Sequence, residues 1–300
     1  MSPALALPPA ARDLGGGFSV RRLLPGLARR SVGPFVFFDH FGPLELAPGA
    51  AHDVRPHPHI GLSTITWLYA GEMVHRDSTG AVQAIRPGAV NWMTAGRGVV
   101  HSERMPPAGA GPRAMHGIQL WAALPQEDED MPPYFSHTPA SALPTATRDG
   151  AAVTLLLGSA VVGGDARVSP VPVRGAPFAM DLRLEPGGAA TLGASAAERA
   201  VYLVAGDASL DGEPLALHHL TVLPPGAAGR VQAGPTGAIA FAIGGPPLDG
   251  PRVLWWNFVS SQPARVEAAA AAWEAGAFPP IPGEHERIPA PPLPARLTPR

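Results

Sequence analysis

The chain has 300 residues with 35 Gly, 38 Pro and no Cys, and its 22 basic residues, all of them Arg, stand against 24 acidic ones for a formal net charge of −2. Without Cys there is no disulfide framework, thiolate nucleophile, Cys-based zinc site or iron–sulfur cluster; without Lys there is no Schiff base and no P-loop lysine. The near-neutral charge supplies no footprint for direct nucleic-acid binding, while 46% apolar residues suffice for a core and the length points to two domains.

The start, MSPALALPPAARD, has no charged n-region and no long apolar core. The twin arginines Arg21-Arg22 and Arg29-Arg30 precede apolar runs that Pro25 and Pro34 break. No stretch reaches the ~18 apolar residues of a membrane helix. The expectation is a cytoplasmic protein that does not engage a membrane.

Short strand-like runs between Gly/Pro turns follow, the pattern of an all-β barrel or sandwich. Strands are predicted at Leu62 to Tyr69, Val82 to Ile85, Val90 to Met93 and Gly117 to Trp121. Thr64-Ile65-Thr66-Trp67-Leu68 alternates polar and apolar residues, the period of a strand with one buried face. From Leu124 to Gly150 the composition changes, and the segment reads as a linker or long connection. Its acidic run, Glu127-Asp128-Glu129-Asp130, reads as a solvated face. Strand-like runs resume at Val153 to Leu157, Phe178 to Leu184, Val201 to Val204 and Ile239 to Ile243, giving two β halves. One helix is predicted from Ala264 to Ala275, with Ser261 as N-cap, Pro263 in the first turn and Gly276 as the stop. The Pro-rich tail from Phe278 to Arg300 reads as extended over the surface with a frayed end.

The chemistry concentrates between His57 and Glu103. His57-Pro58-His59 and His101-Ser102-Glu103 are both pairs spaced two apart. On a strand, residues i and i+2 share a face, so two such strands facing one another converge four side chains. Three imidazoles and a carboxylate suit one first-row divalent metal: Fe, Mn, Co, Ni, Cu or Zn. An extended Pro-rich turn without a metal is the competing reading of His57-Pro58-His59 alone.

The surrounding text resembles the pirin family of the cupin superfamily. The matching blocks are Val32-Gly33-Pro34-Phe35, Phe38-Asp39-His40-Phe41-Gly42-Pro43, Arg55-Pro56-His57-Pro58-His59-Ile60-Gly61, His75-Arg76-Asp77-Ser78, Arg86-Pro87-Gly88, and Trp92 through Glu103. His116 to Trp121 and Trp256-Asn257-Phe258-Val259-Ser260-Ser261 continue it. The resemblance implies a bicupin: two antiparallel jelly-roll β-barrels in tandem with a short C-terminal helix. The expected halves are a metal-binding N-terminal domain, 1–135, and a C-terminal domain without metal, 136–300. It also implies one metal per chain, iron(II) first among the candidates, held by His57, His59, His101 and Glu103.

The general cupin motif places a Glu shortly after His-x-His, where this sequence has Ser63 and Thr64; in the pirin pattern the carboxylate comes from the second pair. His218-His219 are adjacent, so on a strand they face opposite ways and no second metal site is expected. His75 and Asp77 are either ligand-orienting partners or a surface pair. Asp39 and His40 are placed at a turn, Trp67, Trp92 and Trp121 in the core, and Arg97 in a Gly-flanked turn.

Pirin-like proteins include quercetin 2,3-dioxygenases, so the implied activity is oxidative opening of a flavonol by O₂, with Glu103 as the proton acceptor. The alternative is a non-catalytic, iron-dependent regulator or redox sensor whose partner is a transcription factor or metabolic enzyme.

Overall fold

The computed structural model describes residues 4–13, 19–46, 53–106 and 113–299. The chain is mostly strand, with antiparallel sheets and one short C-terminal helix. It divides into two compact units that are not sequential halves. One comprises Met1–Arg12, Val20–His40 and Thr138–Pro247; the other comprises Asp13–Ser19, Phe41–His137 and Leu248–Arg300. Compared with the expected division at 135/136, Met1–Arg12 and Val20–His40 group with the later residues, and Leu248–Arg300, with the helix and tail, groups with the earlier ones.

In the unit built mainly from Phe41–His137, a four-stranded sheet runs in the order Val54–His59, Val99–Arg104, Met73–Asp77, Val82–Ile85. A second sheet carries Tyr134–Thr138, Val90–Thr94, Leu62–Ala70 and Arg113–Ala123 in that order. The alternation in Thr64 to Leu68 predicts one buried face, but Leu62 to Leu68 is buried on both faces. Trp67, Trp92 and Trp121 are core residues.

The helix spans Pro263–Glu274. Pro263 occupies the first turn, where its missing N–H costs nothing, and Gly276 adopts φ 68 just beyond the end. Its buried residues, Val266, Ala269, Ala270 and Trp273, recur at the three- and four-residue spacing of one helical face. They pack with Ile60, Val100, Val253 and Phe258. The N-cap is Gln262, without a side-chain capping bond, rather than Ser261. The Ser261 N–H and hydroxyl both donate to Glu129 instead.

Three other expectations change. The segment from Leu124 to Gly150 is structured, with strands Tyr134–Thr138 and Thr145–Arg148. Glu129, expected in water, is buried because it has cationic and hydroxyl partners: Arg252 Nε at 3.1 Å and Ser260 Oγ at 2.7 Å. The tail is anchored, with Ile281 and Leu297 in the apolar cluster beneath the helix.

The other unit holds a sheet in the order Leu5–Leu7, Leu220–Val222, Glu198–Leu210, Gly229–Gly245, Phe178–Leu184, Ala151–Leu157, Thr145–Arg148. Inward-facing Val153, Leu155, Met180, Leu182, Val201 and Leu203 form its core. The long strands Glu198–Leu210 and Gly229–Gly245 pair with register shifts at Leu203/Ala205 and Gly206/Ala208, and the predicted runs Val201 to Val204 and Ile239 to Ile243 cover part of each. Asp39 and His40 lie within the strand Phe35–Leu46, not at a turn. Asp39 accepts two bonds from Arg22 at 2.8 and 2.7 Å, and His40 Nδ1 meets the Tyr202 hydroxyl at 2.7 Å. His218, at φ 60, lies in a turn before Leu220–Val222 rather than on a strand. Among the described residues no helix is long and apolar enough to cross a membrane.

Candidate metal centre

Antiparallel pairing of Val54–His59 with Val99–Arg104 sets His57 directly opposite His101 and His59 opposite Val99. His57 and His59 share a face by strand alternation, and the register brings His101 onto it. The ring centroids are 4.3 Å apart for His57–His101, 5.0 Å for His57–His59 and 4.9 Å for His59–His101. One ligand nitrogen from each lies within 4.8 Å of the others, and all three residues are buried. Three of the four side chains expected to converge, His57, His59 and His101, are therefore together.

The partners of these rings fix where their protons sit. A carbonyl oxygen only accepts, so a ring nitrogen facing one carries the proton. His57 Nδ1 donates to the Arg55 carbonyl at 2.9 Å, and His59 Nδ1 donates to the Asn257 carbonyl at 3.0 Å. Both neutral rings then present a bare Nε2. His59 Nε2 faces His101 Nε2 at 3.0 Å, while His101 Nδ1 faces His75 Nδ1 at 3.4 Å. His75 donates through Nε2 to Asp77 at 2.8 Å, which leaves its Nδ1 bare.

Neutral His101 therefore has one proton for two facing acceptors. Wherever that proton sits, one pair of lone pairs remains opposed. A cation at the Nε2 side resolves the conflict, with the His101 proton on Nδ1 toward His75. The 3.0 Å spacing is also the span of two adjacent ligands on an ion with nitrogen bonds of about 2.1 Å. The donor set thus fits a divalent metal.

Burial reinforces this. Desolvation lowers His57 to about 4 against an opposing bond to the Arg55 carbonyl. Desolvation, with the neighbouring His57 adding to it, holds His59 and His101 well below the ordinary imidazole value. Neutral imidazole is the ligand form. Desolvation pushes Asp77 up, but hydrogen bonds from His75 and Thr79 outweigh it and keep the carboxyl low and ionised. His75 and Asp77 are buried and His75 faces His101, so they are not a surface pair.

Glu103 is buried but lies outside the three-histidine group. A register shift falls between His101 and Glu103 on the side of Val54–His59, so Glu103 pairs with Val54 there and with His75 on the other side. Its carboxyl makes no hydrogen bond among the described residues, and burial pushes it up to about 7. Trp121 and His59 meet edge to face with ring centroids 5.1 Å apart. Arg97 is exposed.

Sequence reasoning missed the backbone groups that hold the rings. Asn257 belongs to a hairpin, Val253–Trp255 with Phe258–Ser260, whose two-residue turn puts Trp256 at φ 51. A non-glycine residue in that region carries strain. Ile60 and Phe258 form a β-bridge, and the Val259 N–H donates to the Ile60 carbonyl at 3.1 Å. Gly61, at φ 65, permits this approach, since a side chain there would meet the Val259 carbonyl oxygen. The block Trp256 to Ser261 stands out in the sequence, but a role played through a carbonyl leaves no residue-type signal.

A family model described as Pirin matches residues 17–122, and one described as the Pirin C-terminal cupin domain matches residues 179–279. A pirin-like protein of Caulobacter vibrioides is 44% identical over 268 residues, covering 88% of this chain and 91% of its own. A Pseudomonas aeruginosa relative, provisionally named a quercetin 2,3-dioxygenase, is 39% identical over 298 residues, 96% of this chain and 90% of its own. A crystal structure of quercetin 2,3-dioxygenase from Acinetobacter baumannii matches with a TM-score of 0.90 at 34% identity, covering 99% of this chain and 97% of that one. With both cupin domains matched and such relatives aligned along most of their length, the chain belongs to the pirin family.

Proposed function

We propose that the protein is a metal-dependent dioxygenase of the quercetin 2,3-dioxygenase type. In this reading His57, His59, His101 and Glu103 hold one divalent ion, iron(II) first and Mn, Co, Ni, Cu or Zn as alternatives, and the substrates are a flavonol-like molecule and O₂. The observation that carries it is the meeting of three buried imidazoles, one ring nitrogen of each within 4.8 Å of the others, with His59 Nε2 and His101 Nε2 at 3.0 Å. The names of the Pseudomonas and Acinetobacter relatives support the substrate class.

The bound ion would supply Lewis acidity toward the flavonol oxygens and a redox centre for O₂. The chain's own residues do the rest. The Arg55 and Asn257 carbonyls and the His75–Asp77 pair hold the imidazoles in one orientation. Glu103 takes the proton of the flavonol 3-hydroxyl on a carboxylate oxygen. Trp121, 8% exposed, closes one side of His59 with an apolar surface.

The test is O₂ consumption with a panel of flavonols, on protein stripped of metal and then reloaded. Turnover that disappears with the metal and returns with iron(II) supports the enzyme. No turnover at saturating iron(II) overturns it and leaves the iron-dependent regulator with a protein partner. Metal analysis of His57→Ala/His59→Ala checks the ligands, and retained stoichiometric iron would refute the assignment.

A further inference from the structure

The unit that lacks the three histidines has a cavity of its own, of about 290 Å³. Its floor is apolar: Val153, Met180 and Leu182 reach it from the packed core of that unit. Its rim is charged. Arg148 ends the strand Thr145–Arg148, Asp149 follows in the turn before Ala151–Leu157, and Arg230 comes from the strand Gly229–Gly245. One wall is the hairpin Ser159–Val162 with Asp165–Val168. Its Val161 lines the cavity while 61% exposed, an apolar surface turned to solvent at the mouth.

The two guanidinium groups are in different states. Arg148, 65% exposed, lies beside Gly164 at the hairpin tip. It also pairs with Asp149 at 3.6 Å. The Arg230 guanidinium makes no hydrogen bond or ion pair among the described residues. Among the residues that line the cavity, two cations stand against one carboxylate above an apolar floor; Asp211, which accepts the Arg230 N–H at 2.8 Å, is not part of that lining. That combination matches an amphipathic monoanion and disfavours both a neutral ligand and a phosphate dianion. The volume lies at the small end of ligand sites, room for one ring. A flat aromatic body suits the neighbours, because thioether sulfur and guanidinium planes both pack well on aromatic rings.

We propose that this cavity binds a small aromatic monocarboxylate, with its carboxylate on Arg230 beside Arg148 and its ring over Val153, Met180 and Leu182. The site is independent of the metal centre and stands or falls apart from the dioxygenase reading.

The test is an NMR titration of the full-length protein, labelled at the methionine methyl groups, with benzoate, benzamide and acetate. Met180→Leu assigns the reporting signal. Benzoate should move the Met180 methyl resonance saturably with a Kd of about 1 mM or tighter. Benzamide, which lacks the charge, and acetate, which lacks the ring, should each bind at least about tenfold more weakly. Arg230→Met should weaken benzoate by about tenfold while the other methionine signals stay in place; Arg148→Gln serves as a second, independent variant if they do not. Equal binding of benzoate and benzamide, a Met180 signal that never saturates, or full affinity in both arginine variants would overturn the proposal.

Discussion

The Asn257 carbonyl oxygen lies 3.0 Å from Nδ1 of His59, joining residues 198 positions apart. A backbone group near the end of the chain thus fixes the tautomer of a candidate ligand near its start. The hairpin that carries Asn257 is held in turn by Glu129. That carboxylate accepts bonds from the Ser260 hydroxyl at 2.7 Å and the Ser261 N–H at 2.7 Å, and faces Arg252 Nε at 3.1 Å.

Glu129→Ala should therefore do two things. It removes the buried carboxylate facing Arg252 Nε, while Arg252 keeps Asp249 and the Leu124 and Gly250 carbonyls, and it strips the Ser260 hydroxyl and Ser261 N–H of their acceptor, a cost of about 1–3 kcal/mol. It also frees the hairpin, so the Asn257 carbonyl no longer fixes His59, and metal affinity should fall about 10- to 100-fold. Denaturant unfolding measures the first effect, and competition with a chromogenic chelator measures the second. Lost stability with unchanged metal affinity would show that the hairpin does not orient His59.

Asp77→Asn is a milder probe of the other side of the cluster. Asp77 accepts from His75 Nε2 at 2.8 Å and, through its second oxygen, from the Thr79 N–H at 2.8 Å and hydroxyl at 2.6 Å. An amide keeps the shape but removes the charge that holds the His75 proton on Nε2. The His101 proton then has no fixed acceptor at His75 Nδ1. The expected loss is again about 10- to 100-fold in metal affinity. The visible spectrum of the cobalt(II)-loaded protein should shift as His101 reorients; an unchanged spectrum and affinity would count against the relay.

Much of the site is legible in the sequence, and the exceptions have physical causes. His57, His59 and His101 can be read because spacing by two on a strand puts side chains on one face, and only register is needed to join the pairs. The helix can be read from Pro263, Gly276 and the run of alanines. Glu129 cannot. Its neighbours Glu127 and Asp130 are exposed, and nothing in an acidic run says which carboxylate will meet Arg252 and Ser260, more than a hundred residues on. The tail misleads for a similar reason. Proline-rich composition forbids a helix, but it does not prevent Ile281 and Leu297 from being buried.

That tail should matter to the metal centre. Glu284 accepts from the Ser102 hydroxyl at 2.5 Å and from Arg104 Nη2 at 2.5 Å, and the Ile288 N–H donates to the Pro56 carbonyl at 2.8 Å. Ser102 lies between His101 and Glu103, and Pro56 precedes His57, so both ligand strands are clasped by one segment. Ending the chain after Ala277 removes those bonds and the burial of Ile281 and Leu297, which is worth about 1.5–3 kcal/mol per side chain. Truncated protein should melt earlier and release metal to a chelator faster than full-length protein. Hydrogen exchange should show lost protection in Val54–His59 and Val99–Arg104; protection unchanged there would mean the tail is only a cover.

The metal-free protein should show two opposed pH dependences, and Glu103→Gln separates them. For His57 the folded value is about 4 against 6.5 for a solvated imidazole, so below pH 6.5 the unfolded chain binds the extra proton. Stability falls as pH drops through that window, by up to about 3 kcal/mol at 1.36 kcal/mol per pKa unit, and His59 and His101 act in the same direction. Glu103 works the other way. Its value rises from 4.5 to about 7 on folding, so between these values the folded state holds the extra proton. Stability is then lost as pH rises, by up to about 3 kcal/mol above pH 7. Glutamine has the same shape and no charge to desolvate. Metal-free Glu103→Gln should therefore be more stable than the parent at pH 8 and nearly equal to it at pH 4.5, as read by denaturant unfolding at each pH. With metal present the order should reverse, because a carboxylate that ligates a cation gains what the amide cannot supply. Metal affinity that survives Glu103→Gln unchanged would remove Glu103 from the ligand set and leave the three histidines to hold the ion.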